Sequence, residues 1–85
     1  MAHCNQIMAI RIDDREETAV KVQEVLTRHG CEIKTRLGLH DVEGGVCSPS
    51  GTLILQLCGT AEQGKNVEKE LTTISGVKAK FVDLD

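Results

Sequence analysis

"TLILQLCGTAEQGKNVEKELTTISGVKAKFV", residues 52–82, is the stretch that decides the fold, because it contains a complete strand–helix–strand unit. It opens with TLILQLCG, in which leucine occupies every second position. This period of two predicts a strand with a leucine face. The next residues predict a helix, since Thr60 and Gln63 have the spacing of a capping box.

The predicted helix carries one apolar stripe and ends at a glycine. The stripe has helical spacing and consists of Gly64, Val67, Leu71 and Ile74. Its glycine favours a close approach of the helix to the sheet. Gly76 is expected to end the helix, and VKAKFV then alternates as a final strand.

The first half of the chain has the same layout. QIMAIRI, residues 6–12, predicts a strand with Met8, Ile10 and Ile12 on one face. DDREETAVKVQEVLTRHG predicts a helix, with a capping box from Asp14 to Glu17. The helical stripe comprises Ala19, Val22, Val25, Leu26 and His29, and Gly30 is the expected terminator.

EIKTRLGLH, residues 32–40, predicts the remaining strand by regular alternation. We expect one face of this strand to point to the core, with Ile33, Thr35, Leu37 and Leu39. The opposite face then carries Lys34, Arg36, Gly38 and His40.

The element order β-α-β-β-α-β predicts a single domain over residues 1–85 with an α+β, ferredoxin-like sandwich fold. The expected antiparallel sheet has the order 4-1-3-2, with both helices on one face.

The second sheet face is then left without a helix. Its predicted residues are Ile7, Ala9, Arg11, Lys34, Arg36, His40, Ile54, Gln56, Cys58, Lys78, Lys80 and Val82. Because a half-apolar sheet face is usually covered, we expect a homodimer or homotetramer assembled through it. A water-exposed face on a monomer is the alternative.

Composition limits the partners. The net charge is −3 and Phe81 is the one aromatic residue, so direct nucleic-acid binding by phosphate attraction or base stacking is not expected. No apolar run is long enough to span a membrane, and no secretion signal is visible. These features predict a cytoplasmic protein, with its four cysteines, at positions 4, 31, 47 and 58, as thiols.

The stretch between the second and third strands raises a question of chemistry. DVEGGVCSPSG, residues 41–51, is read as a connection of 11 residues, which is long for a hairpin. The commonest reasons for such a long connection are binding, subunit contact and mobility. Of these three explanations we rank subunit contact first. His40 and Cys47 flank or lie within it and are candidate ligands for a transition metal shared between two subunits.

Three segments together resemble the small ACT-like proteins known as iron-only hydrogenase system regulators. They are IKTRLGLHD, CSPSGTLILQL and TTISGVKAKFVDL, and the resemblance spans roughly residues 6–84. It implies an ACT-like ferredoxin fold, a homo-oligomer and a role in sensing or regulation linked to the hydrogenase system.

The wider ACT-like superfamily implies two kinds of site. Typical ACT domains bind an amino acid near the loop after the first strand, where glycine often occurs; here that loop is DDREET, which is acidic and lacks glycine. The ACT-like domains of nickel-responsive repressors take His and Cys ligands from the second strand and the following loop, the places of His40 and Cys47.

Three hypotheses for the function therefore follow from the sequence. The first is a non-catalytic regulator that senses a small anionic metabolite, with Arg36, His40 and Cys47 as ligand-binding residues. The alternative is a nickel-type metal sensor that uses His40 and Cys47 across a subunit interface. An enzyme with a Cys47 nucleophile is the third, weakest hypothesis, since no carboxylate is placed to orient His40 as its base.

Overall fold

The chain folds as four strands and two helices, in a computed structural model that describes residues 4–13, 15–43 and 46–85, with the backbone alone for residues 39–43 and 46–50. The elements are β1 (Gln6–Ile12), α1 (Glu16–Arg28), a 3₁₀ turn (Gly30–Glu32), β2 (Ile33–Glu43), β3 (Val46–Leu57), α2 (Ala61–Thr72) and β4 (Val77–Asp83). The sheet is antiparallel with the order β2-β3-β1-β4. This confirms the predicted ferredoxin-like α+β fold and its strand order.

The core lies between the sheet and the helices. Alternate residues of the strands meet the apolar stripes of both helices there; they are Met8, Ile10, Ile12, Val22, Val25, Leu26, Leu55, Leu57, Val67, Leu71, Val77 and Ala79. Burial of a side chain of this size contributes about 1.5 to 3 kcal/mol, so these few positions dominate stability in a small domain.

The start of α2 is as predicted. The Thr60 hydroxyl accepts a hydrogen bond from the Gln63 amide, and the Gln63 side chain accepts one from the Thr60 amide. Gly64 then packs against the Phe81 ring so closely that a Cβ atom would lie 2.1 Å from a ring carbon. Glycine at this position lets α2 lie directly on β4.

The predicted capping box of α1 is wrong. The N-cap residue is Arg15, which makes no side-chain cap, while Asp14 lies outside the described residues. The Asp13 carboxylate instead accepts hydrogen bonds from the amide and the guanidinium of Arg15. After α1 ends, Gly30 starts a 3₁₀ turn, and its φ is not positive as a glycine terminator would require.

The predicted 11-residue connection is also wrong, because the two strands continue into it. Val42 pairs with Cys47 and Glu43 pairs with Val46, which leaves only positions 44 and 45, outside the described residues, between the strands. The turn-forming residues around Pro49 lie instead at an irregularity in the ladder. Proline has no N–H to donate to a strand ladder, so it is tolerated at a position where the ladder is already interrupted.

A disulfide joins Cys4 to Cys58, which corrects the prediction that these two residues are thiols. The sheet explains the bond: Gln6 pairs with Leu57, so the residues before β1 lie beside those after β3. Spacing along the sequence gave no sign of this pairing, since 54 positions separate the two residues. Cys31 is an exposed free thiol.

Neither of the helices in the described part of the chain is both long enough and apolar enough to span a lipid bilayer.

An ionic cluster connects the end of α1 to α2. Glu70 of α2 accepts a hydrogen bond from the Arg28 guanidinium at 3.0 Å and is in contact with the His29 imidazole, which also lies near Glu32. The hydrogen bond with His29 is the main cause that holds the pKa of Glu70 below its usual value. The charged carboxylate therefore helps to hold the two helices together.

We expect this cluster to make stability depend on acid pH. A carboxyl whose pKa is lower in the folded state stabilises the protein above its unfolded pKa, and this contribution is lost as the pH falls through the folded value. The Glu70→Gln variant should thus lose less stability than the wild type between about pH 5 and pH 3. Urea denaturation at a series of pH values measures the difference. Glu24→Gln, at an exposed position of α1, should retain the wild-type profile; a matching change in both variants would contradict the role of Glu70.

The disulfide should contribute strongly to stability. Because it closes a loop between residues 54 positions apart, the Cys58→Ser variant should lose about 4 kcal/mol of unfolding free energy by the chain-entropy estimate. Urea denaturation in an oxidising buffer measures this loss. Dithiothreitol should lower the wild type to the level of the variant, whereas Cys31→Ser should stay within about 0.5 kcal/mol of the wild type. A wild type that is indifferent to the reductant would contradict the prediction.

Candidate ligand and assembly surface

The sheet surface opposite the helices, which we call the open face, carries a mixture of apolar and basic side chains. The described members are Ile7, Ala9, Arg11, Thr35, Leu37, Thr52, Ile54, Gln56, Lys78, Lys80 and Val82. The residues from β1, β3 and β4 are on the face that alternation predicted. Their neighbours in sequence point into the core.

The part of β2 within this face differs from the prediction. Ile33 pairs with Leu57, but Thr35 pairs with Gln56, so the ladder skips Lys34 at a bulge. A bulge adds one residue to one strand and reverses its alternation from that point. Thr35 and Leu37 therefore lie on the open face rather than in the core, and the Thr35 hydroxyl is 3.4 Å from the Gln56 amide oxygen.

The bulge moves Arg36 off the open face. Arg36 pairs with Leu55, a core residue, and directly opposite residues of an antiparallel pair share a face. Arg36 thus lies on the helix side of the edge strand, where it is exposed. The predicted place of Arg36 on the open face is wrong, because it assumed unbroken alternation; its role as a ligand-binding residue stays a prediction.

The centre of the open face is apolar across three strands. One row runs from Leu37 through Ile54 to Ala9, and in the next row Ile7 pairs with Val82. Leu37 and Val82 are 54% and 47% exposed. Neighbouring apolar side chains of this size on one flat surface are typical of a surface that another molecule covers.

One corner of the open face is basic, and we call it the basic corner. It comprises Arg11, Lys78 and Lys80, with Arg11 directly opposite Lys78 across the β1–β4 pair. The Arg11 guanidinium donates a hydrogen bond to the Thr52 hydroxyl at 3.3 Å. These residues line a shallow depression of about 170 Å³, together with Ala9.

The predicted ligands His40 and Cys47 are described by their backbone alone. His40 pairs with Gly51, and two positions further along β2, Val42 pairs with Cys47. The two residues therefore belong to neighbouring strands of one hairpin. The side chains of His40 and Cys47 lie outside the described residues, so the predicted metal and ligand contacts stay predictions.

Elsewhere, the part of the chain whose side chains are described contains no group of three or more His, Cys, Asp or Glu residues that could hold a metal ion.

A second depression, of about 670 Å³, runs along the outer side of α1. Its lining combines apolar and polar residues, Ala19, Val20, Gln23 and Thr27, with the charged residues Glu16, Glu24 and Arg28. Val20 is 53% exposed, which makes it a close counterpart of Leu37 on the opposite side of the molecule. This surface could not be predicted from the apolar stripe of α1, because Val20 lies outside that stripe.

The loop after β1 is tied to the turn before β4. The Asp13 amide donates to the Gly76 carbonyl, and the Arg15 guanidinium donates to the Ser75 carbonyl. Desolvation acts to raise the pKa of Asp13, but hydrogen bonds from the Arg15 amide and the Thr18 hydroxyl outweigh it and lower the pKa. These polar groups at the loop are thus engaged with one another, in the place where the ACT-like resemblance implies an amino acid.

Comparison with known sequences gave no match to any family model and none to a curated protein.

Solved structures gave matches over the whole chain. The uncharacterized protein TM1266 from Thermotoga maritima superposes with a TM-score of 0.81 at 28% identity, over 94% of this chain and 95% of that one. The C-terminal domain of the MgtC protein from Mycobacterium tuberculosis matches with a TM-score of 0.58 at 17% identity, over 95% and 89% of the two chains.

A third match comes from a regulatory protein. The regulatory subunit of aspartate kinase from Thermus flavus has a TM-score of 0.54 at 16% identity, and the match covers 98% of this chain but 54% of that one. Together these structures support the fold derived above: the chain is an α+β domain with the ferredoxin-like fold.

Proposed function

We propose that this chain is a non-catalytic regulatory protein that senses a small ligand and acts as a homo-oligomer, a dimer or a tetramer, through its open face. The observation that carries the proposal is the apolar centre of that face, where Leu37, Ile54 and Ala9 lie in one row. The burial of this row by a second copy would remove it from water and supplement the small core.

The regulatory part of the proposal rests on similarity and on the type of surface. The fold is shared with the regulatory subunit of aspartate kinase, and the sequence resembles the hydrogenase system regulators. The described depressions are shallow surface features lined by charged, polar and small apolar side chains, which suits reversible binding better than catalysis. A link to the iron-only hydrogenase system is part of this proposal.

A cytoplasmic location is also part of the proposal, and the disulfide provides its check. A lasting bond between Cys4 and Cys58 is more typical of oxidising compartments. Trapping of free thiols in intact cells with an alkylating reagent, followed by mass spectrometry, would report the state of this pair.

Assembly through the open face gives a direct experiment. The wild type should sediment as a dimer or tetramer at micromolar concentration, and Leu37→Glu should sediment as a monomer because it places a charge in the apolar centre. Val20→Glu is the matched control, since Val20 is equally exposed on the opposite surface. Dissociation by Val20→Glu with no effect of Leu37→Glu would place the interface on α1, and a monomeric wild type would remove the proposal.

The second candidate function is a transition-metal sensor. The strand pairing favours it, because β2 and β3 bring the backbones of His40 and Cys47 onto neighbouring strands of one hairpin. Imidazole and thiolate are suitable ligands for nickel and zinc, and two chains would supply four of them.

Metal titration separates the two candidates. If the hairpin is a metal site, purified untagged protein should bind one Ni²⁺ or Zn²⁺ ion per two chains, and His40→Ala or Cys47→Ala should abolish the binding. Cys31→Ala, which removes an exposed thiol elsewhere, should leave it unchanged. Calorimetry and elemental analysis provide the stoichiometry. Binding that persists in both variants would exclude these two residues as the ligands.

A further inference from the structure

The disulfide lies at one end of the open face. Gln56 belongs to that face and pairs with Ile7 of β1. Its side-chain amide donates a hydrogen bond to the Cys4 carbonyl at 2.9 Å, so Cys4 lies beside this row of the face. Cys58 follows the core residue Leu57, and alternation along β3 therefore directs Cys58 to the open side of the sheet. Both cysteines are half-buried, so their sulfur atoms are not enclosed in the core.

Gln56 brings a polar amide into the surface that a second copy is proposed to cover. Its amide nitrogen donates to the Cys4 carbonyl, and its amide oxygen lies 3.4 Å from the Thr35 hydroxyl. Burial of a polar group costs free energy unless the group is hydrogen-bonded. Because both ends of the Gln56 amide have partners within the same chain, a second copy can cover Gln56 at little cost.

The disulfide holds one of these partners in place. Cys4 precedes β1 and is attached to the sheet by the bond to Cys58 and by the hydrogen bond from Gln56. The net contribution of one hydrogen bond is comparable to the entropy cost of fixing the backbone of one residue. The hydrogen bond alone is therefore too weak to keep Cys4 ordered. When the disulfide opens, Gln56 loses its acceptor.

The contacts on either side of the disulfide limit this opening to Cys4. The Leu84 amide donates to the Asn5 carbonyl at 2.8 Å, which holds the next residue of the chain against the end of β4. The Cys58 amide donates to the Glu32 carbonyl, also at 2.8 Å. These bonds do not involve the sulfur atoms, so they persist after reduction. The two thiols then remain close enough to pair again.

We propose that the Cys4–Cys58 pair is a redox switch that strengthens assembly through the open face when it is oxidised. The inference adds regulation to the assembly proposed above and rests on it. A disulfide that opens and closes is also the kind expected in a reducing compartment such as the cytoplasm.

The reductant is a small thiol such as glutathione. The thiolate of one molecule attacks one sulfur of the pair and releases the other cysteine as a thiolate. A second molecule attacks the mixed disulfide and leaves as the external disulfide, so two electrons pass to the protein and the two cysteine thiolates take up protons. The external disulfide reverses both steps.

Sedimentation of the full chain over a series of concentrations tests the switch. The oxidised wild type, prepared with oxidised glutathione that is then removed, should have a dissociation constant about tenfold or more below that of the protein reduced with dithiothreitol. The physical reason is that assembly of the reduced form buries an unsatisfied amide in each chain. Circular dichroism should give the same spectrum for both states, and intact mass spectrometry should give the mass of a single chain, which excludes a bond between copies.

Three variants separate the steps. Cys4→Ser/Cys58→Ser should assemble as weakly as the reduced wild type and should not respond to dithiothreitol. Gln56→Met has a side chain of similar length without an amide, so it should assemble equally well in both redox states. Cys31→Ser, which removes an exposed thiol elsewhere, should keep the full response of the wild type.

The coupling must also act in the opposite direction, because linkage is reciprocal. At one fixed ratio of reduced to oxidised glutathione, the disulfide should be more resistant at protein concentrations above the dissociation constant than below it. Alkylation of the free thiols followed by mass spectrometry measures the reduced fraction.

Equal dissociation constants in the two states, tighter assembly of the reduced protein, or an undiminished response in Gln56→Met would overturn the switch and leave the assembly in place. Loss of the circular dichroism spectrum on reduction would also overturn it, since the opening would then not be local. A wild type that is monomeric in both states would remove the assembly and the switch together.

Discussion

Two helices cover only one face of a four-stranded sheet, and this constraint determines most of what the molecule presents to its surroundings. The covered face contains the core, in which strand residues such as Met8 and Leu55 meet the stripes of both helices. The uncovered face is then formed by the residues of the same strands that alternate with the core residues. Its properties follow from which residues alternate with the core residues, so the packing of the core and the chemistry of the outer surface cannot be chosen independently.

The sequence predicted the fold well, because local patterns and the overall architecture agree. The strand periods of β1, β3 and β4, the capping box at Thr60 and the glycine at position 64 are each visible in a short window, and each occurs as predicted. Apart from the two ends of α1, the errors concern features that a short window does not contain. The bulge at Lys34 left no trace, since Ile33 and Leu37 fit unbroken alternation equally well. The disulfide depends on the β1–β3 register, which no local pattern reveals.

The candidate site, like the fold, could be predicted from the sequence only in part. Arg11, Lys78 and Lys80 could be assigned to the open face from alternation alone, and that assignment holds. Their direct opposition could not be derived, because it needs the register of two strands that are far apart in sequence. Arg36 was assigned to the same face by the same reasoning and lies on the other one. A single extra residue in an edge strand thus decides whether a cation lies on the open face or on the helix side of the sheet.

The disulfide also has a topological consequence. The bond between Cys4 and Cys58 closes a covalent ring that contains β1, α1, β2 and β3, while α2 and β4 lie outside it. The edge strand β4 pairs with β1 from outside the ring and is attached to it only at Cys58 and through noncovalent contacts. In the oxidised protein, the segment after Cys58 is therefore the part that can open as a unit while the three other strands stay joined. Lys78 and Lys80 lie on this segment and Arg11 lies on the ring, so the pairing of β4 with β1 fastens the open end to the closed one.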